Sequence, residues 1–103
     1  MAVLEGRDGG TLVSITGELD IAAEPAVAEA LASATARTGP LVVDLTPTSF
    51  MDSTGLKLLA ATARQVGDRL AVVCPLGTPV RRVLDIAGMV EAVRVVERVE
   101  DLG

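Results

Sequence analysis

The sequence predicts an α/β domain in which a mixed β-sheet is flanked by helices. Runs of β-branched and aliphatic residues alternate with longer stretches whose apolar residues recur every three or four positions, as strands and helices do. The first two strand-like runs, Val3–Glu5 and Thr11–Thr16, are separated by the turn signal Asp8-Gly9-Gly10, which predicts an antiparallel hairpin. Later strands are separated by helices and should pair in parallel, so the sheet is expected to be mixed.

The predicted order of elements is β-β-α-β-α-β-α-β, within a single domain spanning residues 1–103. After the hairpin, a helix is expected from about Glu24 to Arg37, with Pro25 at a first helical position. The remaining expected elements are a strand at 41–45, a helix at 54–66, a strand at 70–74, a helix at about 78–87 and a short strand at 93–96. No strand is expected between 46 and 53, so Phe50 is placed in a loop. The charged segment 97–103 is too short to predict a full last helix.

Composition and charge argue against several classes of function. The chain has a net charge of −5 and only one aromatic residue, whereas nucleic-acid binding requires basic patches and stacking aromatic side chains. The same acidity disfavours binding to an anionic membrane surface. Without histidine, a Ser-His-Asp triad is impossible within the chain, and the single cysteine, Cys74, ends an apolar run typical of a core strand. We therefore expect no enzymatic activity, no metal and no cofactor.

Two further patterns are absent from the sequence. There is no nucleophile elbow and no glycine-rich phosphate loop. Neither a targeting segment nor an apolar run of membrane-spanning length is visible, which predicts a soluble, cytoplasmic protein.

The stretch Ser49–Leu56 lies where a predicted strand leads into a predicted helix. Loops at the carboxyl ends of strands commonly carry function in α/β sheets, and a helix start offers unpaired N–H groups and partial positive charge. Each residue of Asp52-Ser53-Thr54 is a good N-cap, so a purely structural role is one interpretation. Capping does not explain Phe50-Met51, two large apolar residues that should be buried or form part of a contact surface.

This stretch, Ser49-Phe50-Met51-Asp52-Ser53-Thr54-Gly55-Leu56, resembles the phospho-acceptor motif of anti-sigma-factor antagonists of the STAS domain family. The resemblance extends to Gly17–Asp20 and Val80–Met89, and it covers essentially the whole chain in order and spacing. It implies partner switching in a stress response: the unmodified antagonist binds an anti-sigma factor that is also a serine kinase, and this frees a sigma factor for transcription. Phosphorylation of Ser53 by that kinase would break the complex, and a phosphatase would restore it.

The resemblance implies a set of functional residues around Ser53, the expected phosphorylation site. The expected partner-binding residues are Asp20, Met51, Asp52, Ser53, Thr54, Gly55, Leu56 and Leu58. Asp20 also has a local interpretation, as the cap of a turn. Gly55 is expected to admit close approach of a partner backbone, so that Gly55→Ala would leave the fold intact.

Two other roles of STAS domains remain open from the sequence. The chain could serve as a module of a stress-sensing scaffold, or as a subunit of a lipid-transport ABC complex, in which phosphorylation need not matter. Recovery of a GHKL-type kinase with the protein would favour the antagonist, whereas recovery of an ABC ATPase would favour the transport complex.

Overall fold

The computed structural model describes residues 1–102 as a mixed α/β fold. Its strands are β1 (Ala2–Arg7), β2 (Gly10–Ile15), β3 (Gly17–Leu19), β4 (Leu41–Asp44), β5 (Thr48–Met51), β6 (Leu70–Val73) and β7 (Arg94–Val96). Its helices are α1 (Glu24–Thr35), α2 (Ser53–Val66), α3 (Pro79–Ile86) and α4 (Met89–Ala92), with 3-10 turns at Gly67–Arg69 and Val99–Leu102. All the predicted strands and helices are present. Within the described residues, no helix is both long and apolar enough to span a lipid bilayer.

Five of the strands form one sheet in the order β1-β2-β4-β6-β7. The β1–β2 pair is antiparallel and every other pair is parallel, which confirms the mixed sheet and its hairpin. Asp8 (φ 45°) and Gly9 (φ 81°) make the hairpin turn in the left-handed region, which Gly and Asp enter more readily than most residues.

The helices pack on one face of this sheet. Each successive parallel strand lies one position further across the sheet, from β2 through β4 and β6 to β7. Right-handed crossovers between strands placed in this way all lie on the same face of the sheet. The main core contains strand residues such as Val13, Val43 and Val72 together with the buried residues of the helices. On the opposite face, the smaller cluster of Leu12, Val42 and Val73 is covered by residues of β7 and of the last 3-10 turn, namely Val96, Val99 and Leu102.

A second, two-stranded sheet was not predicted, and the placement of Phe50 in a loop is wrong. β3 and β5 pair in parallel, with Leu19 opposite Met51 and Glu18 opposite Phe50, after a shift of register at Gly17. The four residues of β5 are buried only at its two ends, in Thr48 and Met51. They therefore lack the alternation that identifies a half-buried strand in a sequence.

The segment after Val96 contains only the 3-10 turn at Val99–Leu102. The sequence left open whether 97–103 forms a full helix, and Gly103 lies outside the described residues.

The second sheet is tied to the first by a buried hydrogen bond. The Thr48 hydroxyl donates to the Ile15 carbonyl at 2.7 Å, and the backbone N–H of Gly17 donates to the Pro47 carbonyl at 3.0 Å. Thr48 is 7% exposed, so its hydroxyl has little access to water. β5 is thus held at the carboxyl end of β2, next to the start of α2.

We expect Thr48→Val to destabilise the protein, because it removes this bond while preserving the shape of the side chain. Losing one partner of a buried hydrogen bond costs about 1–3 kcal/mol, which urea unfolding followed by circular dichroism would measure. Thr62→Val is the matched control. Thr62 is also buried, but its hydroxyl donates to Leu58 O within α2, a helical carbonyl that the backbone itself can satisfy. Equal losses of stability in the two variants would contradict the role given to Thr48.

Candidate functional site

The start of α2 is capped by Asp52. Its backbone is extended (φ −116°, ψ −164°), and its Oδ1 accepts a hydrogen bond from the Thr54 N–H at 2.8 Å. Its carbonyl accepts from the Leu56 N–H at 3.3 Å. This is the geometry of an N-cap residue. Ser53 is therefore the first residue of the helix, and its side chain is exposed while Asp52 carries out the capping.

The pairing of β3 with β5 brings Asp20 to the same place. Leu19 is the register partner of Met51, and the Asp52 N–H donates to the Leu19 carbonyl at 3.4 Å. Asp20 and Asp52 thus directly follow the carboxyl ends of two paired strands, and Asp52 caps α2. The Asp20 Oδ1 accepts from the N–H groups of Ala22 and Ala23 at 3.1 and 3.2 Å. The turn-capping interpretation is confirmed, and a contact between Asp20 and a partner stays a prediction.

Two of the expected partner-binding residues lie inside the protein. Met51 is 3% exposed, and Gly55 is buried at the point where α2 packs on β3 and β5. A Cβ at Gly55 would lie 2.6 Å from Met51 Cγ and 3.0 Å from Leu19 Cγ. A side chain at this position would therefore require Met51 and Leu19 to shift. This crowding argues against a cost-free alanine at this position, and a contact between Gly55 and a partner backbone stays a prediction.

The remaining expected residues are at or near the surface. Thr54, Leu56 and Leu58 are half-buried, and both leucines pack partly against the main core. Two large apolar side chains near Ser53 are more exposed than these leucines: Ile21 is 75% exposed and Phe50 is 46% exposed.

Ile21 was missed as a site residue, although the sequence held a signal for it. It follows Asp20 directly, in a loop, outside the apolar stripe of any helix. Phe50 was expected to be buried or to form a contact surface, and the structure places it at the surface on β5.

Cys74 lies at the carboxyl end of β6 and is fully buried, as expected for a core residue. Burial raises the pKa of its thiol, although a hydrogen bond to Thr78 acts in the opposite direction. A thiol of this kind is a poor nucleophile at neutral pH. Across residues 1–102, no group of three His, Cys, Asp or Glu side chains is arranged to hold a metal ion. The chemically available group at the site is the exposed hydroxyl of Ser53, directly after Asp52.

Comparison with known proteins gives consistent matches along the whole fold. Residues 1–102 match the family model of the STAS domain. The chain is 32% identical over 97 residues to the anti-sigma-F factor antagonist RsfB of Mycobacterium tuberculosis, covering 92% of this chain and 80% of RsfB. The crystal structure of an anti-sigma factor antagonist from Mycobacterium paratuberculosis superimposes with a TM-score of 0.92 at 32% identity, covering 98% of this chain and 88% of that one.

A more distant structure shares the fold. Phosphorylated SpoIIAA, a cell fate determinant of Bacillus, superimposes with a TM-score of 0.69 at 19% identity, covering 99% of this chain and 96% of that one.

We expect Gly55→Ala to destabilise the protein by about 1–3 kcal/mol, the usual cost of overpacking a core. The added methyl group would displace the side chains of Met51 and Leu19. Where a helix has room, the same substitution stabilises by about 1 kcal/mol, so a net loss would report the crowding. Chemical denaturation measures the difference.

Gly6→Ala is the control for that substitution. Gly6 lies in β1, and a Cβ there would have no atom within 4 Å, so we expect no loss of stability. A Gly55→Ala protein as stable as the Gly6→Ala protein would mean that Met51 and Leu19 relax without cost.

Proposed function

This chain belongs to the STAS domain family, and we propose that it is an anti-sigma factor antagonist controlled by phosphorylation of Ser53. Unmodified, it binds an anti-sigma factor that is also a serine kinase, and a sigma factor is released. The kinase phosphorylates Ser53 and the complex dissociates; a phosphatase restores it. The observation that carries the proposal is the exposed hydroxyl of Ser53 at the first position of a helix already capped by Asp52. This role is that of a binding protein and a substrate, and it requires no catalysis by this chain.

The local geometry favours Ser53 over its neighbours as the phosphate acceptor. Ser53 is exposed, whereas Thr54 is half-buried and its N–H is bonded to the Asp52 carboxylate. Because Asp52 caps the helix, a phosphate on Ser53 leaves the capping bond in place. Ser49 is also exposed, but it lies within β5, away from the helix start.

The proposed contact surface consists of exposed residues supported by buried ones. Ile21 and Phe50 supply apolar area next to Ser53, and aromatic side chains are enriched at the centres of protein interfaces. Leu56 and Leu58 contribute their exposed portions, and Asp20, Asp52 and Thr54 supply polar groups at the rim. Met51 and Gly55 are buried beneath this surface, where their packing holds the start of α2 in place. The two carboxylates favour a partner with a basic surface.

The phosphate is expected to change binding far more than folding. It adds about −1.5 to −2 charges and three strong acceptor oxygens. The partial positive charge at the helix start stabilises the added negative charge by about 0.3–1 kcal/mol. Lys57, exposed one turn along the helix, is placed for an i,i+4 ion pair with the phosphate. In an interface, the phosphate would lie beside Asp52 against a surface fitted to a hydroxyl. Disrupting one such buried contact costs about 2–5 kcal/mol, or roughly 30- to 4,000-fold in affinity.

We expect the cognate kinase and ATP to place a single phosphate on Ser53. Tandem mass spectrometry would localise it, and Ser53→Ala should abolish its incorporation. A phosphate found mainly on Thr54 or Ser49 would contradict the assignment of the acceptor.

We expect Ser53→Ala to bind the anti-sigma factor constitutively, because it keeps the surface and cannot be modified. Ser53→Asp should bind at least ~10-fold more weakly, since even a charge that only partly mimics phosphate is unfavourable beside Asp52. Calorimetry would measure affinity, and circular dichroism should show an unchanged fold.

Ser33→Asp provides the matched control, since Ser33 is an exposed serine on α1. It introduces the same charge away from the site and should bind like the unmodified protein. If the phosphorylated protein itself binds undiminished, the proposed switch is wrong.

A further inference from the structure

We propose that the amino-terminal end of the sheet, opposite the end that carries Ser53, holds a second binding site, for a small organic anion. A groove of about 490 Å³ runs along the amino ends of the parallel strands. Three arginines line it: Arg7, Arg69 and Arg94. Ser53 follows the carboxyl ends of β4 and β5, so the groove and the phosphate acceptor lie at opposite ends of the fold. The inference does not depend on the proposed switch.

The register of the sheet explains how distant parts of the sequence meet in this groove. Arg7 is paired with Gly10 at the end of β1, and Arg94 is paired with Ala71 at the start of β7. Directly paired residues share a face of a sheet, so Arg94 lies on the same face as Ala71 and its partner Val42. These two residues, with Leu102 from the last 3-10 turn, give the groove an apolar floor between the arginines.

One of the three guanidinium groups is already held in place. Arg69 Nη1 donates to the carbonyls of Arg37 and Gly39, at 3.0 and 2.9 Å. A guanidinium has five N–H donors, so these bonds orient the group and leave donors for a ligand. A pre-oriented, planar donor of this kind is well suited to carboxylate, phosphate or sulfonate oxygens.

The charges of the groove are not balanced internally. Among the described residues, Arg7 has only a long contact with Asp8, at 4.0 Å, and the Asp8 side chain is 87% exposed. No carboxylate of residues 1–102 lies within 4.0 Å of the Arg69 or Arg94 guanidinium. Asp68 also lines the groove, so its described lining holds three cations against two carboxylates. In a chain of net charge −5, this concentration of arginine favours an anionic ligand.

The size and lining of the groove identify the class of ligand. Small-molecule sites typically occupy about 300–1,000 Å³ and combine an apolar surface with a few polar groups, and this groove fits both criteria. The acidity of the whole chain disfavours a nucleic acid. The ligand class is therefore a small molecule with an apolar body and one carboxylate, phosphate or sulfonate group.

The test uses anilinonaphthalene sulfonate, a fluorescent probe with an apolar aromatic body and a single sulfonate. Its matched control is phenylnaphthylamine, which has the same ring system without the charge. We expect one binding site, with the sulfonate bound at least ~10-fold more tightly, because charge-assisted hydrogen bonds to arginine are lost with the neutral probe. Amide resonances of Gly39 and Ala71 should shift on binding, and those of Ser53 and Gly55 should not.

Substitutions of the groove arginines test whether the probe binds in the groove. Arg94→Gln and Arg7→Gln should each weaken sulfonate binding by about 10-fold, while Arg64→Gln, at an exposed position on α2 outside the groove, should leave it unchanged. Arg69 is left intact because it also supports the carbonyls of Arg37 and Gly39. Equal affinity for the two probes, unchanged affinity in both groove variants, or no binding at about 1 mM probe, the weak end of specific affinity, would overturn the proposal.

Discussion

The pairing of β3 with β5 determines the geometry of the functional site. It sets Leu19 beside Met51, and so places Asp20 next to Asp52 and the first turn of α2. The Thr48–Ile15 hydrogen bond joins this small sheet to the main one, and α2 packs so closely on it that a Cβ at position 55 would crowd Met51 and Leu19. Ser53 is therefore presented by a rigid support. The proposed phosphate there would act through local charge and shape, because the elements around it have little freedom to rearrange.

The order of the strands also places different charged residues at the two ends of the sheet. The parallel strands are added in one direction, and their helices cover one face. The loops at the carboxyl ends carry Asp20 and Asp52, whereas the amino ends carry Arg7, Arg69 and Arg94. Three of the nine basic residues of this acidic chain thus lie at the end of the sheet away from Ser53. A basic partner is favoured at one end and a small anion at the other.

The apolar residues of the core differ from the large apolar residues exposed near Ser53. The core consists of Val, Leu, Ile, Ala, Met and Cys side chains, which fill the space between the sheet and the helices without any aromatic ring. The only aromatic residue, Phe50, is half-exposed on β5 near Ser53. Ile21 is similarly exposed on the adjoining loop. Of the six large apolar side chains exposed among the described residues, Ile21 and Phe50 lie on the loop and strand that carry Asp20 and lead to Asp52, where they are available to a contact surface.

The sequence by itself determined the strands of the main sheet, the helices α1, α2 and α3, and a cap within Asp52–Thr54; the short helix α4 and the choice of Asp52 as the cap came from the structure. These depend on periodicity and on residues a few positions apart, as in the N-cap bond from Thr54 to Asp52. The prediction of Ser53 as the phosphate acceptor rests likewise on a local stretch, which resembles a family motif.

Only the tertiary structure decided which site residues are accessible. β3 and β5 are short, and each is a strand only because the other, distant in the sequence, pairs with it. The burial of Met51 and Gly55 follows from that pairing, as does the exposure of Phe50. The arginine groove likewise has no local pattern: Arg7, Arg69 and Arg94 meet because the order of the strands brings their ends to one edge. Contacts between segments far apart in the chain depend on the whole fold, and no short stretch of sequence encodes them.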